Sequence, residues 1–252
     1  MTHGRRKKMA AAVLSAVMIL GTGFTSYAQG WKQDVWGWWY ENADGTYPVN
    51  TWYEDEDGSW YFFNEMGYLI SNCYRLIDGS FYAFGNDGKW NGCVFSDIYP
   101  GVWTGNDYRN DWSGIQMHVP EGFTMTTAMD SGRLAESNNF VEFVVWTPDG
   151  TGSGIELEYM DAYNFSKGAD TSVESLVTLR SLRLALEGYE IDQVTTVNLN
   201  GREYMKLSVS MEGLLKQDLY CRKAGTHYFE CISAIYWLAS EPYIDMLIDS
   251  IH

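Results

Sequence analysis

The chain has 252 residues, 46% hydrophobic and 20% charged, enough apolar material for one or two packed domains and too much for a disordered chain. Its 33 Asp and Glu against 17 Lys and Arg give a formal charge of −16, so nucleic-acid backbones and anionic membrane surfaces repel it and are excluded as partners. Aromatic residues make up 16%, and seven of the 11 Trp lie between Trp31 and Trp90.

Arg5, Arg6, Lys7 and Lys8 form a basic stretch, followed by the uncharged apolar run from Met9 to Leu20 and then Ser26-Tyr27-Ala28. That order predicts a cleaved signal peptide over residues 1–28, because the apolar run is too short for a membrane span of roughly 20 residues. The mature chain then begins at Gln29 with 13 Lys and Arg against 33 Asp and Glu, a charge of −20. No Cys near the cleavage point offers a lipid anchor, and no later segment is long and apolar enough to span. The expectation is a secreted, wall-associated protein without a transmembrane segment.

From residue 29 to about 92 one period governs the sequence. Trp31, Trp52 and Cys73 are 21 apart, as are Gly37, Gly58 and Gly79, then Trp39, Trp60 and Phe81, then Tyr40, Tyr61 and Tyr82. Each unit has a Gly turn, an aromatic run and a second turn at Asp44-Gly45, Met66-Gly67 or Asp87-Gly88. Alternating aromatics between such turns predict short β-hairpins, and hairpins this small must stack to bury enough surface. The run Glu54-Asp55-Glu56-Asp57 reads as a solvated hairpin tip rather than a Ca²⁺ loop, since an aromatic strand follows at once.

Gly30-Trp31-Lys32-Gln33-Asp34, Gly37-Trp38-Trp39-Tyr40 and Asp57-Gly58-Ser59-Trp60-Tyr61-Phe62-Phe63 resemble the cell-wall-binding repeats of the choline-binding and glucan-binding families of Gram-positive bacteria. The resemblance implies a β-hairpin solenoid in which a quaternary ammonium of teichoic acid sits in a cage of three aromatics between neighbouring hairpins. Carried over by position, it implies one cage of Trp31, Trp39 and Tyr61 and a second of Trp52, Trp60 and Tyr82. The third unit departs from the pattern at Cys73, Phe81 and Ala83, so at most two cages form. Glucan stacking on the same rings, or a purely structural role for them, are the other readings of these residues.

After Trp90 aromatic density falls, and Pro100-Gly101 and Gly105-Asn106 mark residues 93–107 as a linker. Residues 108–252 predict an α+β domain, an antiparallel sheet with packed helices. Tyr108 to Phe123 read as a strand pair, with further strands at Phe140 to Trp146 and Gly154 to Tyr159. Thr171 and Glu174 form a capping box opening a helix, with Val173, Leu176, Val177 and Leu184 on one face and Leu179, Leu182 and Leu186 on another, up to Gly188. A four-strand meander follows from Ile191 to Ala234, turning at Asn200-Gly201, and a last helix starts at Ser240-Glu241-Pro242. The opening Trp112-Ser113-Gly114-Ile115-Gln116-Met117-His118-Val119-Pro120, the long helix before the meander and the terminal Ile248-Asp249-Ser250-Ile251 resemble the PsbP/Mog1-like α/β fold. That resemblance implies a binding or assembly role.

No His has a partner at metal-ligand spacing, no CxxC is present, and Gly152-Ser153-Gly154 reads as a turn, not a nucleophile elbow. The sequence therefore predicts no catalytic residues, metal or cofactor. Cys221 and Cys231 share one predicted hairpin, but a two-residue turn at Ala224-Gly225 sets them on opposite faces. Cys73 and Cys93 lie about one repeat apart, where stacking could bring them together; buried free thiols are the other reading. The resulting expectation is a wall-docking protein whose C-terminal domain binds a small ligand or another protein. A wall-targeted enzyme with an unrecognised site and an adhesin with structural repeats are the alternatives.

Overall fold

The computed structural model describes residues 29–127, 139–162 and 172–252, so the signal peptide expected over 1–28 lies outside the described residues. Most of it is β-structure, arranged as four small antiparallel sheets and one large one. Three hairpins come first: β1 (Gly30–Gln33) with β2 (Trp38–Glu41), β3 (Thr51–Glu54) with β4 (Trp60–Phe63), and β5 (Cys73–Ile77) with β6 (Ser80–Phe84), the last extended by β7 (Trp90–Ser96). The glycines close the turns between the aromatic runs. Gly58, at φ +80°, donates its N–H to the Asp55 carbonyl at 2.9 Å, a conformation that costs a glycine no Cβ clash.

The fourth small sheet follows, from β8 (Val102–Thr104), β9 (Asp107–Arg109) and β10 (Gln116–His118). The large sheet comprises β11 (Thr124–Thr127), β12 (Phe140–Trp146), β13 (Gly154–Asp161), β14 (Glu190–Leu199), β15 (Arg202–Met211), β16 (Leu215–Ala224) and β17 (Tyr228–Trp237). Its seven antiparallel strands run in the order β11-β12-β13-β17-β16-β15-β14. Helix α1 (Val173–Leu186) buries Leu176, Val177 and Leu184 against Leu207, Leu219 and Phe229 on one face. Helix α2 (Glu241–Asp249) buries Ile244 and Leu247 on the other, beside Leu157 and Ala234.

The structure corrects the sequence reading in four places. Helix α1 is capped by Ser172, whose hydroxyl accepts from Ser175 N–H at 3.2 Å, so the cap is not the predicted Thr171 and Glu174 pair; Thr171 lies outside the described residues. The predicted second apolar face of that helix is exposed at Leu179, Leu182 and Leu186.

Residues 93–107 are not a bare linker. They hold the end of β7 and all of β8, and Phe95 and Ile98 are buried in the same core as Phe140, Tyr159 and Tyr228. Gly105-Asn106 is the turn between β8 and β9, and Pro100-Gly101 lies in the irregular stretch that leads into β8, which is why they looked like punctuation.

The third correction concerns the cysteines. Ala224 pairs with Tyr228 across a three-residue loop, so Cys221 stands directly opposite Cys231 and shares its face. The two sulfurs lie 3.2 Å apart in a fully buried position. None of the four cysteines forms a disulfide in this structure.

Candidate functional site

The fourth correction comes from strand register, which decides which aromatics can share a site. Directly opposed residues in an antiparallel pair point to one face, and successive residues alternate. In the first hairpin Trp31 opposes Tyr40 and Gln33 opposes Trp38, placing Trp31, Trp38 and Tyr40 together. Trp39 opposes Lys32 on the reverse face, where its ring meets Tyr47 at 6.0 Å and Lys32 pairs with Glu41 at 3.4 Å. Trp39 therefore does not join Trp31 and Tyr61; Trp38 takes its place on that face.

In the second hairpin Trp52 opposes Phe62 and Glu54 opposes Trp60, so Trp52, Glu54, Trp60 and Phe62 share one face and Tyr53, Tyr61 and Phe63 the other. In the third, Cys73, Arg75, Tyr82 and Phe84 share a face, with Tyr74, Phe81 and Ala83 behind them. The ring contacts then show how the hairpins meet. Trp31 lies 4.9 Å from Tyr61 and 5.7 Å from Phe63, with interplanar angles of 62° and 30°. Trp52 lies 4.9 Å from Tyr82 and 5.6 Å from Phe84, at 66° and 33°. The same contact geometry recurs one repeat along, with Trp31 and Trp52 each reaching the tyrosine and phenylalanine on the second strand of the next hairpin.

The second junction has the fuller aromatic set. Trp52 is 6.3 Å from Trp60 at 73°, so all three residues expected there, Trp52, Trp60 and Tyr82, come together. Trp90 joins them, 5.9 Å from Trp52 and 6.0 Å from Tyr82, its indole N–H fixed on the Cys93 carbonyl at 2.8 Å. Sequence reasoning missed Trp90, although it stands 21 residues after Leu69, behind the equivalent turn. Tyr82 is buried while Trp52, Trp60 and Trp90 are half-buried, leaving ring surface accessible at the junction.

At the first junction the Trp31 indole N–H donates to Asp55 at 3.1 Å, which orients the ring, and Trp38 is 45% exposed. Burial is the largest influence raising the Tyr61 phenol above its ordinary value, and Lys89, Asp57, Asp55 and Asp87 act on it electrostatically. Asp57 is held down at about 2 by the Ser59 N–H and hydroxyl and by Lys89, 3.1 Å away on the next hairpin. The acidic run is thus a solvated hairpin tip: Asp55 accepts from an indole and Asp57 from its own turn. Among the described residues no group of three or more His, Cys, Asp or Glu could hold a metal ion.

The back of the third hairpin is occupied. Tyr74, Phe81 and Phe95 ring Phe140 of β12 at 4.7, 5.3 and 5.6 Å. Tyr74 Oη donates to the Asn139 carbonyl at 2.7 Å and accepts from Val141 N–H at 3.3 Å, while Tyr228 Oη donates to the Ser96 carbonyl at 2.8 Å. Ala83 is fully buried at this contact, which accounts for its break in the aromatic run.

Two further polar clusters lie away from the hairpin junctions. Ser153 receives Trp237 N–H at 3.1 Å and donates to Ser240 at 3.0 Å, while Ser240 and Thr147 donate to Asp149 at 2.6 and 2.7 Å, so the Gly152-Ser153-Gly154 stretch is a hydroxyl-bonded turn. His118 contacts Asp107 at 2.7 Å on an exposed strand pair.

Solved structures similar to the chain include the following. The choline-binding domain of Spr1274 in Streptococcus pneumoniae is 30% identical over 25% of this chain and 94% of that one, with a TM-score of 0.23. Cyanobacterial PsbP (CyanoP) from Synechocystis sp. PCC 6803 is 11% identical over 62% of this chain and 96% of that one, with a TM-score of 0.40. Both resemblances read from the sequence recur here. The pneumococcal cell wall endolysin from phage Cp-1 complexed with choline is 22% identical over 57% of this chain and 36% of its own, with a TM-score of 0.24. No protein-family model matches the chain, and a search of curated proteins finds no match.

Proposed function

We propose that the chain is a secreted cell-surface binding protein whose hairpins, from residue 29 to Ser96, stack as a short solenoid that docks on choline-decorated wall polymer. Residues 108–252, an α+β domain joined to the third hairpin by a common core, present a separate ligand- or protein-binding surface, and residues 1–28 are the leader removed on export. The observation that carries the reading is the set Trp52, Trp60, Tyr82 and Trp90 at the junction of the second and third hairpins. Rings inclined at 66° and 73° form the walls of a box rather than a flat platform, which favours a compact cation over a stacked sugar ring. A quaternary ammonium needs no hydrogen-bond partner and gains about 1–2 kcal/mol from each well-desolvated ring face. Glu54 shares the face of Trp52 and Trp60 and supplies a counter-charge. With two junctions, avidity for a repeating polymer is modest compared with longer arrays.

Titrating the full chain with choline chloride while following Trp fluorescence tests this. The expected result is a saturable change at millimolar choline that Trp52→Ala reduces, leaving the contribution of the first junction. Binding of glucan fragments without any choline response would reassign the ligand, and no response to either would leave the rings a purely structural core. Incubation with purified wall in the same buffer separates binding from turnover, since release of soluble fragments would make the chain an enzyme.

A further inference from the structure

Cys221 and Cys231 are the two fully buried cysteines, placed opposite each other on neighbouring strands of the large sheet with sulfurs 3.2 Å apart. Met160 Sδ lies 3.9 Å from Cys231, and Leu207, Leu219 and Phe229 complete an apolar surround beneath helix α1. Nothing in the candidate wall-binding site uses this pair. A pair held side chain to side chain on adjacent strands is close to the arrangement that a disulfide requires, and the strands need no register change to close it. We infer that Cys221 and Cys231 are a disulfide-forming pair, and that the chain carries this single intramolecular cross-link when it folds in an oxidising environment.

The reaction is thiol–disulfide exchange with an external disulfide, RSSR. One cysteine thiolate attacks a sulfur of RSSR, forming a mixed disulfide and releasing RS⁻. The other thiolate attacks the protein sulfur of that mixed disulfide, closing the Cys221–Cys231 bond and releasing the second RS⁻. The two protons lost by the cysteines end on the two RSH, and the two electrons reduce RSSR. Timing follows from burial. With neither sulfur exposed in the folded chain, exchange proceeds while β16 and β17 are still pairing, and the finished bond is sheltered from reductant. Cys73 and Cys93, half-buried on β5 and β7 with another strand between them, remain thiols.

The bond would clip the two strands whose connecting loop abuts the rest of the molecule. Ala162 N–H donates to the His227 carbonyl in that loop at 2.8 Å, and Tyr228, the first residue after it, reaches Ser96 of the third hairpin. Oxidation therefore steadies the end of the sheet on which that hairpin rests.

The full chain, unfolded in reductant and refolded in a redox buffer of reduced and oxidised glutathione, is then denatured, alkylated and weighed. The expected product has lost two hydrogen atoms relative to the reduced chain and carries two alkyl groups instead of four, with one peptide containing Cys221 linked to one containing Cys231. The same link must persist in the Cys73→Ser/Cys93→Ser double variant. Native-state reductant should leave it closed, and reducing it in denaturant before refolding without oxidant should lower the thermal midpoint by roughly 5–10 °C. Four alkylated thiols after refolding, or a link that engages Cys73 or Cys93, would overturn the inference.

Discussion

The Tyr74 ring packs 4.7 Å from Phe140, and its hydroxyl bridges the backbone on both sides of that residue, to the Asn139 carbonyl and from Val141 N–H. One aromatic of the third repeat is thereby built into the edge region of the large sheet, and the face that would begin another junction is closed. The third hairpin is an adaptor between repeats and sheet. Phe140, fully buried among Tyr74, Phe81 and Phe95, should cost about 3–5 kcal/mol on replacement by Ala, through lost burial and the cavity left behind. Tyr74→Phe keeps the ring and removes only the hydroxyl, leaving Val141 N–H without its acceptor, at a cost of about 1–3 kcal/mol. Urea unfolding of the full chain, followed by Trp fluorescence and by circular dichroism, measures both. Equal stability of Phe140→Ala and the parent would refute the shared core.

The two neighbouring tryptophans of β2 should behave differently. Trp38 shares the face of Trp31, whereas Trp39 lies behind it with Lys32 and Tyr47. Trp38→Ala should weaken choline binding at the first junction by roughly 5–30-fold, the loss of one ring face worth about 1–2 kcal/mol. Trp39→Ala should leave that affinity within about twofold. Because the second junction also responds, both are best measured in a Trp52→Ala background by equilibrium dialysis. A larger loss from Trp39→Ala than from Trp38→Ala would restore the spacing-based assignment.

This contrast explains what the sequence could and could not convey. The hairpins themselves were legible, because Gly turns and aromatic runs recur every 21 residues and leave few other ways to pair. Spacing counts positions along the chain, however, and a site depends on faces. Gln33 opposes Trp38 across a four-residue loop while Glu54 opposes Trp60 across a five-residue loop, so the same 21-residue step lands on opposite faces of the two hairpins. One loop residue also misled the cysteine reading, since a two-residue turn and the observed three-residue loop set Cys221 against different partners. Phe95 and Ile98 carried no periodic signal, and their burial against Phe140 and Tyr228 depends on contacts remote in sequence. The strands of the large sheet other than β11, and the start of helix α2, were readable locally, from alternation and from Ser240-Glu241-Pro242.

A buried charge network under the small β8–β10 sheet gives a third expectation. Glu230 is fully buried and accepts from Arg222 at 2.6 and 2.9 Å and from Tyr204 Oη at 2.6 Å, while Arg222 also reaches the Ser113 carbonyl at 2.6 Å. Removing the carboxylate leaves a largely desolvated guanidinium and a tyrosine hydroxyl without their acceptor. Glu230→Ala should therefore destabilise the chain by about 3–5 kcal/mol, whereas the exposed pair Arg109 and Asp111 should contribute less than about 1 kcal/mol. Parallel urea titrations of Glu230→Ala and Asp111→Ala make the comparison, and similar losses from the two would contradict it.

The last expectation concerns acidity. Glu142 sits at the bulge where β12 slips register against β13, aimed off the ladder toward Gly101, whose N–H it accepts at 2.6 Å. Burial pushes its carboxyl up to about 7, against the opposing pull of the Gly101 N–H and Tyr108. Glu156 is also pushed up to about 7, by burial first and then by the neighbouring Glu158 carboxylate. For an acid whose folded value lies above its unfolded value, the folded state holds the proton more tightly. Its contribution to stability is therefore fully present below about 4.5, the ordinary Glu value, and is lost as pH rises through about 7. Glu142→Gln keeps the shape and an acceptor for Gly101 but cannot ionise. The variant should match the parent near pH 4.5 and exceed it at pH 8 by up to on the order of 3 kcal/mol, the linkage value of such a shift. Urea midpoints for both proteins at pH 4.5, 6 and 8 provide the measurement. A stability gap that stays constant across this range would mean that Glu142 is ionised throughout and that the bulge solvates it.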